Sequence, residues 1–308
     1  MECGELRRCA RLILASNQAI LEAQRAIALA KLFSTDFSGE LMGVGKTLSV
    51  PVFSGEATVF DEASNDYETT DGSIIPVKVS LDTVVKVTYR LDQQDLLELD
   101  RSSTSRNCGI AGGRAIARKL EELIVGKLDC AHRVAEVASF TVAKLGKALA
   151  AAEKAGIDPA TCVVILDPDA YGDLLDANAS NAAIQGDDIA GSLGRKYGCK
   201  AIVCSAKVSN VSTAAVSGGA AAVTKGVGFI VPDAAIAVAG RGIEQAVDGL
   251  YSEYGTQSDE GSGLTVTAFV HGTPGKNRRF MNVAALLGAA LTRTEANKAP
   301  GYLQLVKA

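Results

Sequence analysis

Apolar residues recur at helical spacing from the start of the chain. Leu6, Ile13, Ile20 and Ile27 stand seven apart, with Ala10, Leu14, Leu21 and Ala28 beside them. Residues 4 to 33 are therefore predicted to form one amphipathic helix carrying a single apolar stripe. Such a stripe has to be covered, either by the protein's own core or by a neighbouring subunit. Gly39 to Gly55 then breaks the helix and turns extended. Further on, Val77, Val79, Leu81, Thr83, Val85, Val87 and Tyr89 alternate with Lys78, Ser80, Asp82, Lys86 and Arg90, with Val84 the one exception. Period-two alternation predicts a long strand with one buried and one wet face. Ala57, Val59 and Phe60 are the expected outgoing strand of a two-stranded arm. Such a hairpin is marginal alone and leans on a partner.

A second long helix is expected over residues 112 to 138, where Ile116, Leu120, Leu123, Ile124, Leu128, Ala131, Val134 and Ala138 keep helical spacing. The centre then changes character. Val142 to Ala155 reads as an Ala-rich helix closed by Gly156, and Cys162 to Leu166 as a strand buried on both faces. Asp167 and Pro168 start the next helix, as N-cap and first-turn proline. Lys200 to Ser205 and Gly228 to Val231 read as strands, and Val211 to Gly228 as a flexible small-residue loop between them. Leu264, Val266, Ala268 and Val270 alternate with Thr265, Thr267, Phe269 and His271 before a turn at Thr273, Pro274 and Gly275. Ala284 to Leu291 is apolar, and no internal repeat is visible.

Composition makes this a folded chain. Of its 308 residues 47% are hydrophobic and 21% charged, with a net charge of −4. That places it away from disordered sequences and argues against nucleic-acid binding over the whole surface. The charge is unevenly spread. From Thr47 to Val77 there is no Lys or Arg, yet Glu56, Asp61, Glu62, Asp66, Glu68 and Asp71 all lie there, with a turn signal at Asp71 and Gly72. Basic residues gather elsewhere, as Arg114, Arg118 and Lys119 on the second helix and as Lys276, Arg278 and Arg279 after the late turn. Opposite charges on separate elements suit contacts between subunits. Each exposed pair contributes about 0–1 kcal/mol, so a closed shell would gain from many weak, correctable contacts.

Motifs for chemistry are absent or have bland explanations. Gly39 to Thr47 resembles a phosphate loop, but Glu40 replaces a required glycine, and the stretch leaves a helix instead of opening one. Gly109, Gly112 and Gly113 lack dinucleotide-loop spacing and read as a loop ending at a helix start. Asp167 and Asp169 are explained by the dipole of the helix they begin. The two histidines, His132 and His271, have no nucleophile beside them in sequence. The seven cysteines form no C-x-x-C pair, which argues against zinc and for a reducing cytoplasm. No cofactor, metal or catalytic residue is expected, and no stretch is long and apolar enough to span a bilayer.

The order of elements resembles the tailed-phage major capsid proteins, the Johnson fold shared with encapsulin nanocompartments. The local echoes are Val163 to Leu175, a strand, a proline and then a helix, and Tyr197 to Ser205, a glycine followed by a strand ending in Ser. The resemblance implies an α+β fold in parts. Residues 1–50 are an N-terminal arm, 51–92 an extended β-hairpin loop that in the family lies over a neighbouring subunit, 93–140 and 244–308 a peripheral domain with a long spine helix, and 141–243 an α/β axial domain. It implies a structural subunit that forms hexamers and pentamers of an icosahedral capsid around double-stranded DNA, assembled in the host cytoplasm and residing in the virion. The implied partners are further copies of the chain, a separate scaffolding protein, a portal and decoration proteins, with DNA contacted non-specifically and no membrane. With no Lys in residues 48 to 77, the Lys–Asn cross-link of some family members is not expected. The other readings are an encapsulin-like compartment and a cytoplasmic α/β enzyme.

Overall fold

The computed structural model describes residues 3–33, 47–54, 73–91, 103–128, 138–178, 189–210, 226–243, 251–259, 261–272, 279–292 and 301–307. In chain order the first elements are α1 (Cys3–Lys31), β1 (Thr47–Ser54), β2 (Ser73–Ser80), β3 (Thr83–Leu91) and α2 (Ser103–Gly126). Next come β4 (Ala138–Phe140), α3 (Leu145–Lys154), β5 (Cys162–Leu166), α4 (Pro168–Asn178), α5 (Ile189–Tyr197), β6 (Ala201–Cys204) and β7 (Gly226–Pro232). The last are β8 (Ile236–Arg241), β9 (Tyr251–Ser258), β10 (Thr265–Gly272), β11 (Arg279–Leu291) and β12 (Leu303–Lys307). The chain divides into two compact units.

The first unit comprises Met1–Leu48, Ser80–Ile124 and Val238–Ala289. Its centre is an antiparallel sheet in the order β3-β11-β10-β9, with β8 also pairing to β11. Both long helices pack on one face of this sheet. A Cβ at Gly255 of β9 would lie 3.0 Å from Leu12 Cβ of α1, and one at Gly112 of α2 would lie 2.5 Å from Val283 Cγ1 of β11. The helices meet each other through Gly109 and Gly113, one turn apart, which lie against the carbonyl oxygens of Ala15 and Ala19. Backbone touches backbone here because these positions carry no bulk, the small-residue geometry of close helix pairs.

That seam corrects two expectations. The glycines expected to end a loop lie inside α2, which starts at Ser103. The buried face of α1 keeps Ile20 and Ile27 of the predicted stripe but turns away from Ile13, Leu14, Leu21 and Ala28. Leu12, Ala15, Ala19, Ile20, Ala23, Ala26, Ile27 and Ala30 are buried, whereas Ile13, Leu14 and Leu21 are 41%, 37% and 55% exposed. Where α1 meets α2, Ala15 and Ala19 take the inner face because the seam leaves no room for leucine.

The predicted single strand from Val77 is two strands, β2 and β3, separated at Leu81 and Asp82 and belonging to different sheets. β2 pairs with β1, so Thr47–Ser54 is its strand partner, and the expected partner residues Ala57, Val59 and Phe60 lie outside the described residues.

The second unit comprises Ser49–Val79, Val125–Ala237 and Ala290–Ala308. Its main sheet runs β4-β12-β7-β5-β6, mixing parallel and antiparallel pairs. β5 is fully buried along its length, as its unbroken apolar run predicts. Leu145, Leu149 and Ala152 of α3, Leu174 of α4 and Leu193 of α5 pack with Val164, Leu166, Ile230 and Leu303 into one core. α3 ends as expected at Gly156, whose φ of 81° is left-handed. Its N–H donates to Glu153 O at 2.9 Å while Ile157 N–H reaches back to Ala152 O at 3.0 Å. α4 is capped by Asp167, whose Oδ1 accepts from Ala170 N–H at 2.9 Å. β12 was not anticipated: Leu303 and Leu305 lie in a short C-terminal run that offers no periodicity of its own.

A candidate inter-subunit surface

The acidic residues singled out from sequence, Glu56, Asp61, Glu62, Asp66, Glu68 and Asp71, lie outside the described residues, as do Lys276 and Arg278, Gly39 to Gly45, and His132. The structure places the rest. Arg114 and Arg118 are exposed on α2. Arg114 Nε lies 3.4 Å from Glu22 Oε2 of α1, and Lys119 Nζ 2.8 Å from Glu122 Oε1 on its own helix. Two of these three cations are thus engaged within the chain. Arg279 begins β11, exposed, opposite Leu91 and Gly272.

The first unit's sheet has a second face, away from α1 and α2. Strand register aligns its rows: Arg90, Phe280 and His271 in one, Thr88, Asn282, Phe269 and Tyr254 in the next, and Lys86, Ala284 and Thr267 in a third. Directly opposed residues of an antiparallel sheet share a face. Lys86, Thr88 and Arg90 are exposed, Phe280, His271 and Tyr254 half-buried, and Asn282 fully buried. The segment after β8 crosses this face at the third row, where Ile243 N–H donates to Thr267 Oγ1 at 3.0 Å and Tyr254 Oη donates to Ile243 O at 2.7 Å.

Asn282 organises the open rows. Thr88 Oγ1 donates to its Oδ1 at 2.8 Å, while its Nδ2 points at the carbonyls of Phe269 and Phe280, each at 3.4 Å. Carbonyls only accept, so the amide orientation is fixed. The same Nδ2 lies 2.7 Å from His271 Nδ1, which therefore accepts and leaves the proton on Nε2. The His271 ring stacks on Phe280 at 5.2 Å between centroids. Lys86 Nζ sits 5.8 Å from the centre of the Phe269 ring. Partial burial, and then the charge of Lys86, hold His271 below the usual histidine range, so it presents a neutral N–H donor at neutral pH. These three rows carry two cations and, among the described residues, no carboxylate. Sequence reading left His271 as a strand end and did not single out Asn282. Only the register of three strands brings them together.

Among the described residues no group of three or more His, Cys, Asp or Glu is placed to hold a metal, and no helix is long and apolar enough to cross a membrane. Cys108, Cys162 and Cys199 are buried free thiols.

No family model matches the chain, and no curated protein matches it in sequence. Solved structures do. The chain is similar to the capsid protein of cyanophage A-1(L), at 10% identity and a TM-score of 0.57 over 91% of this chain and 92% of that one. It is similar to that of cyanophage P-SCSP1u, at 13% identity and a TM-score of 0.51 over 87% and 85%. It is also similar to the virus-like particle protein from Pyrococcus furiosus, at 12% identity and a TM-score of 0.50 over 94% and 97%. The chain has the phage capsid fold, as the order of its elements implied.

Proposed function

We propose that this chain is the major capsid protein of a tailed phage, a structural subunit that closes hexamers and pentamers into an icosahedral shell around double-stranded DNA. The observation that carries this reading is the match to the A-1(L) capsid chain along nine-tenths of both molecules. At 10% identity the likeness reports architecture, and this architecture serves shells in all three neighbours named above. In this reading residues 1–50 are the arm, 51–92 the extended loop, 93–140 and 244–308 supply the peripheral domain and 141–243 the axial domain, whose sheet also takes in β4 and β12. The acidic residues between Glu56 and Asp71 meet cations of adjacent subunits, with Arg114, Arg118, Lys119, Lys276, Arg278 and Arg279 as receivers. Assembly takes place in the host cytoplasm, with a scaffolding protein, a portal and decoration proteins as partners.

Electron microscopy of the purified protein tests the proposal. Closed shells, tubes or rings are the expected result, and a monodisperse monomer under every ionic condition would overturn it. The double reversal Glu62→Lys with Asp66→Lys should lower shell yield while leaving the unfolding transition of the subunit in place.

The likeness to the Pyrococcus furiosus particle, over nearly the full length of both chains, favours a second reading: an encapsulin-like compartment enclosing protein cargo. The contents of particles purified from the native source separate the two. Nuclease-protected double-stranded DNA marks a capsid, and a co-purifying protein marks a compartment.

A further inference from the structure

We infer that Asn282 and His271 form an acid-sensitive latch across strands β3, β11 and β10, opened by a single proton on the imidazole. The latch belongs to one chain and stands whether or not the shell reading holds. Three observations carry it.

The first is span. β11 runs between β3 and β10, and its Asn282 amide reaches both neighbours. Thr88 on β3 bonds to the oxygen, while His271 and the Phe269 carbonyl on β10 face the nitrogen. Asn282 is fully buried, so no water replaces a contact that is lost.

The second is polarity. The Phe269 and Phe280 carbonyls and the Thr88 hydroxyl hold the amide with Nδ2 toward the ring, and Nδ1 of His271 is therefore bare. A proton on that nitrogen sets N–H against N–H across 2.7 Å. Relief requires a move. If the amide flips, its oxygen faces two carbonyls. If the ring swings out, it leaves the Phe280 ring on which it stacks, and the amide loses its shortest contact.

The third is surroundings. β3 turns Lys86 and Arg90 to this face, in the rows on either side of Thr88. Lys86 lies over the Phe269 ring, and Arg90 is engaged within its own chain. β9 sets Tyr251 opposite His271 and Tyr254 in the next row, while Glu253 pairs with Val270, outside these rows. β11 contributes Phe280, Asn282 and Ala284, none of them charged, and β10 has no charged residue besides the histidine itself. Arg241 ends β8, ahead of the segment that crosses the third row. Among the described residues these rows hold no acid to receive an imidazolium, and burial and Lys86 both oppose one.

A histidine that titrates lower in the fold than in the unfolded chain contributes stability above about pH 6.5, lost as pH falls through the folded value. One proton makes opening more favourable by up to about tenfold per pH unit within that window. Hydrogen exchange of the full chain tests this, read by mass spectrometry on peptides spanning β3 and β10 and corrected for intrinsic rates, between about pH 7.5 and about pH 5. Wild-type protection should fall on acidification. His271→Gln keeps an acceptor toward Asn282 but cannot titrate, so its protection should match at the two pH values. His132→Gln, at the other histidine, should behave as wild type. Asn282→Asp puts an acceptor where the amide nitrogen stood, so the His271 pKa, read from its ring proton resonance, should rise above about 6.5. Equal wild-type protection at both pH values, or a loss that persists in His271→Gln, would overturn the inference. So would a wild-type His271 that titrates at or above about 6.5. If Asn282→Asp fails to fold, the comparison of wild type with His271→Gln still decides.

Discussion

Gly113 lies so close to the carbonyl oxygen of Ala19 that no side chain fits between them. Helix propensity alone would make Gly113→Ala stabilising, by about 1 kcal/mol. Contact reverses the sign. The new methyl has to push two helix backbones apart, and overpacking of this kind costs about 1–3 kcal/mol. Gly172, inside α4, has nothing within 4 Å of its missing Cβ, so Gly172→Ala should stabilise by about 0.5–1 kcal/mol. Urea unfolding of the two variants should therefore shift the midpoint in opposite directions.

Asp259 closes the β9–β10 hairpin. Its carboxylate accepts from Ser262 N–H at 2.9 Å and Ser262 Oγ at 2.7 Å, and Lys31 Nζ of α1 lies 3.0 Å away. Burial pushes its pKa up, but the Ser262 hydroxyl, Lys31 and the Ser262 N–H together hold it below the ordinary aspartate range. A depressed carboxylate contributes stability that is present above its unfolded pKa, near 4, and lost as pH falls through the folded value. Stability should therefore decline below about pH 4. Asp259→Asn should flatten that acid limb and cost about 1–2 kcal/mol at pH 7. Thermal melts across the acid range measure both.

Burial pushes the Cys162 thiol up to about 12, and those of Cys108 and Cys199 to about 11. All three stay protonated at pH 8, and thiolate is the reactive form. Of these and Cys204, which is only half-buried, Cys204 should be the first alkylated by iodoacetamide in the native protein. Peptide mapping by mass spectrometry should find the other three labelled only after denaturation.

Lys86 faces His271 and helps hold the imidazole neutral. Lys86→Met should raise the His271 pKa toward the ordinary value, about 6.5. An NMR titration of the ring Hε1 resonance reads this directly, and an unchanged titration would mean the lysine does not act on the ring.

Much of this fold was legible in the chain. β5 was legible because five apolar residues in a row, bounded by Pro159 and by Asp167 with Pro168, suit a short strand buried on both sides. The Asp167 cap and the Gly156 stop were legible because their chemistry is local. Val84, the break in the alternation, is indeed exposed. The rotation of α1 was not legible: hydrophobicity ranks leucine above alanine, and only the glycines of a distant helix make alanine the better inner residue. The division between β2 and β3 was hidden for a similar reason, because alternation continues through Leu81 and Asp82 while the strand partners change. The open sheet face joins residues nearly two hundred positions apart, Thr88 with Asn282, and no spacing rule reaches that far.

The seam of Gly109 and Gly113 against Ala15 and Ala19 also bears on how such a sequence can drift. A leucine core tolerates exchange, since one side chain can shrink as another grows. Here there is nothing to trade: any side chain at either glycine meets main chain of α1, which has no rotamers. The outward ridge of Ile13, Leu14 and Leu21 is bound by no such rule within the subunit. Descendants of this chain should therefore hold the two glycines nearly unchanged while the outward side of α1 varies.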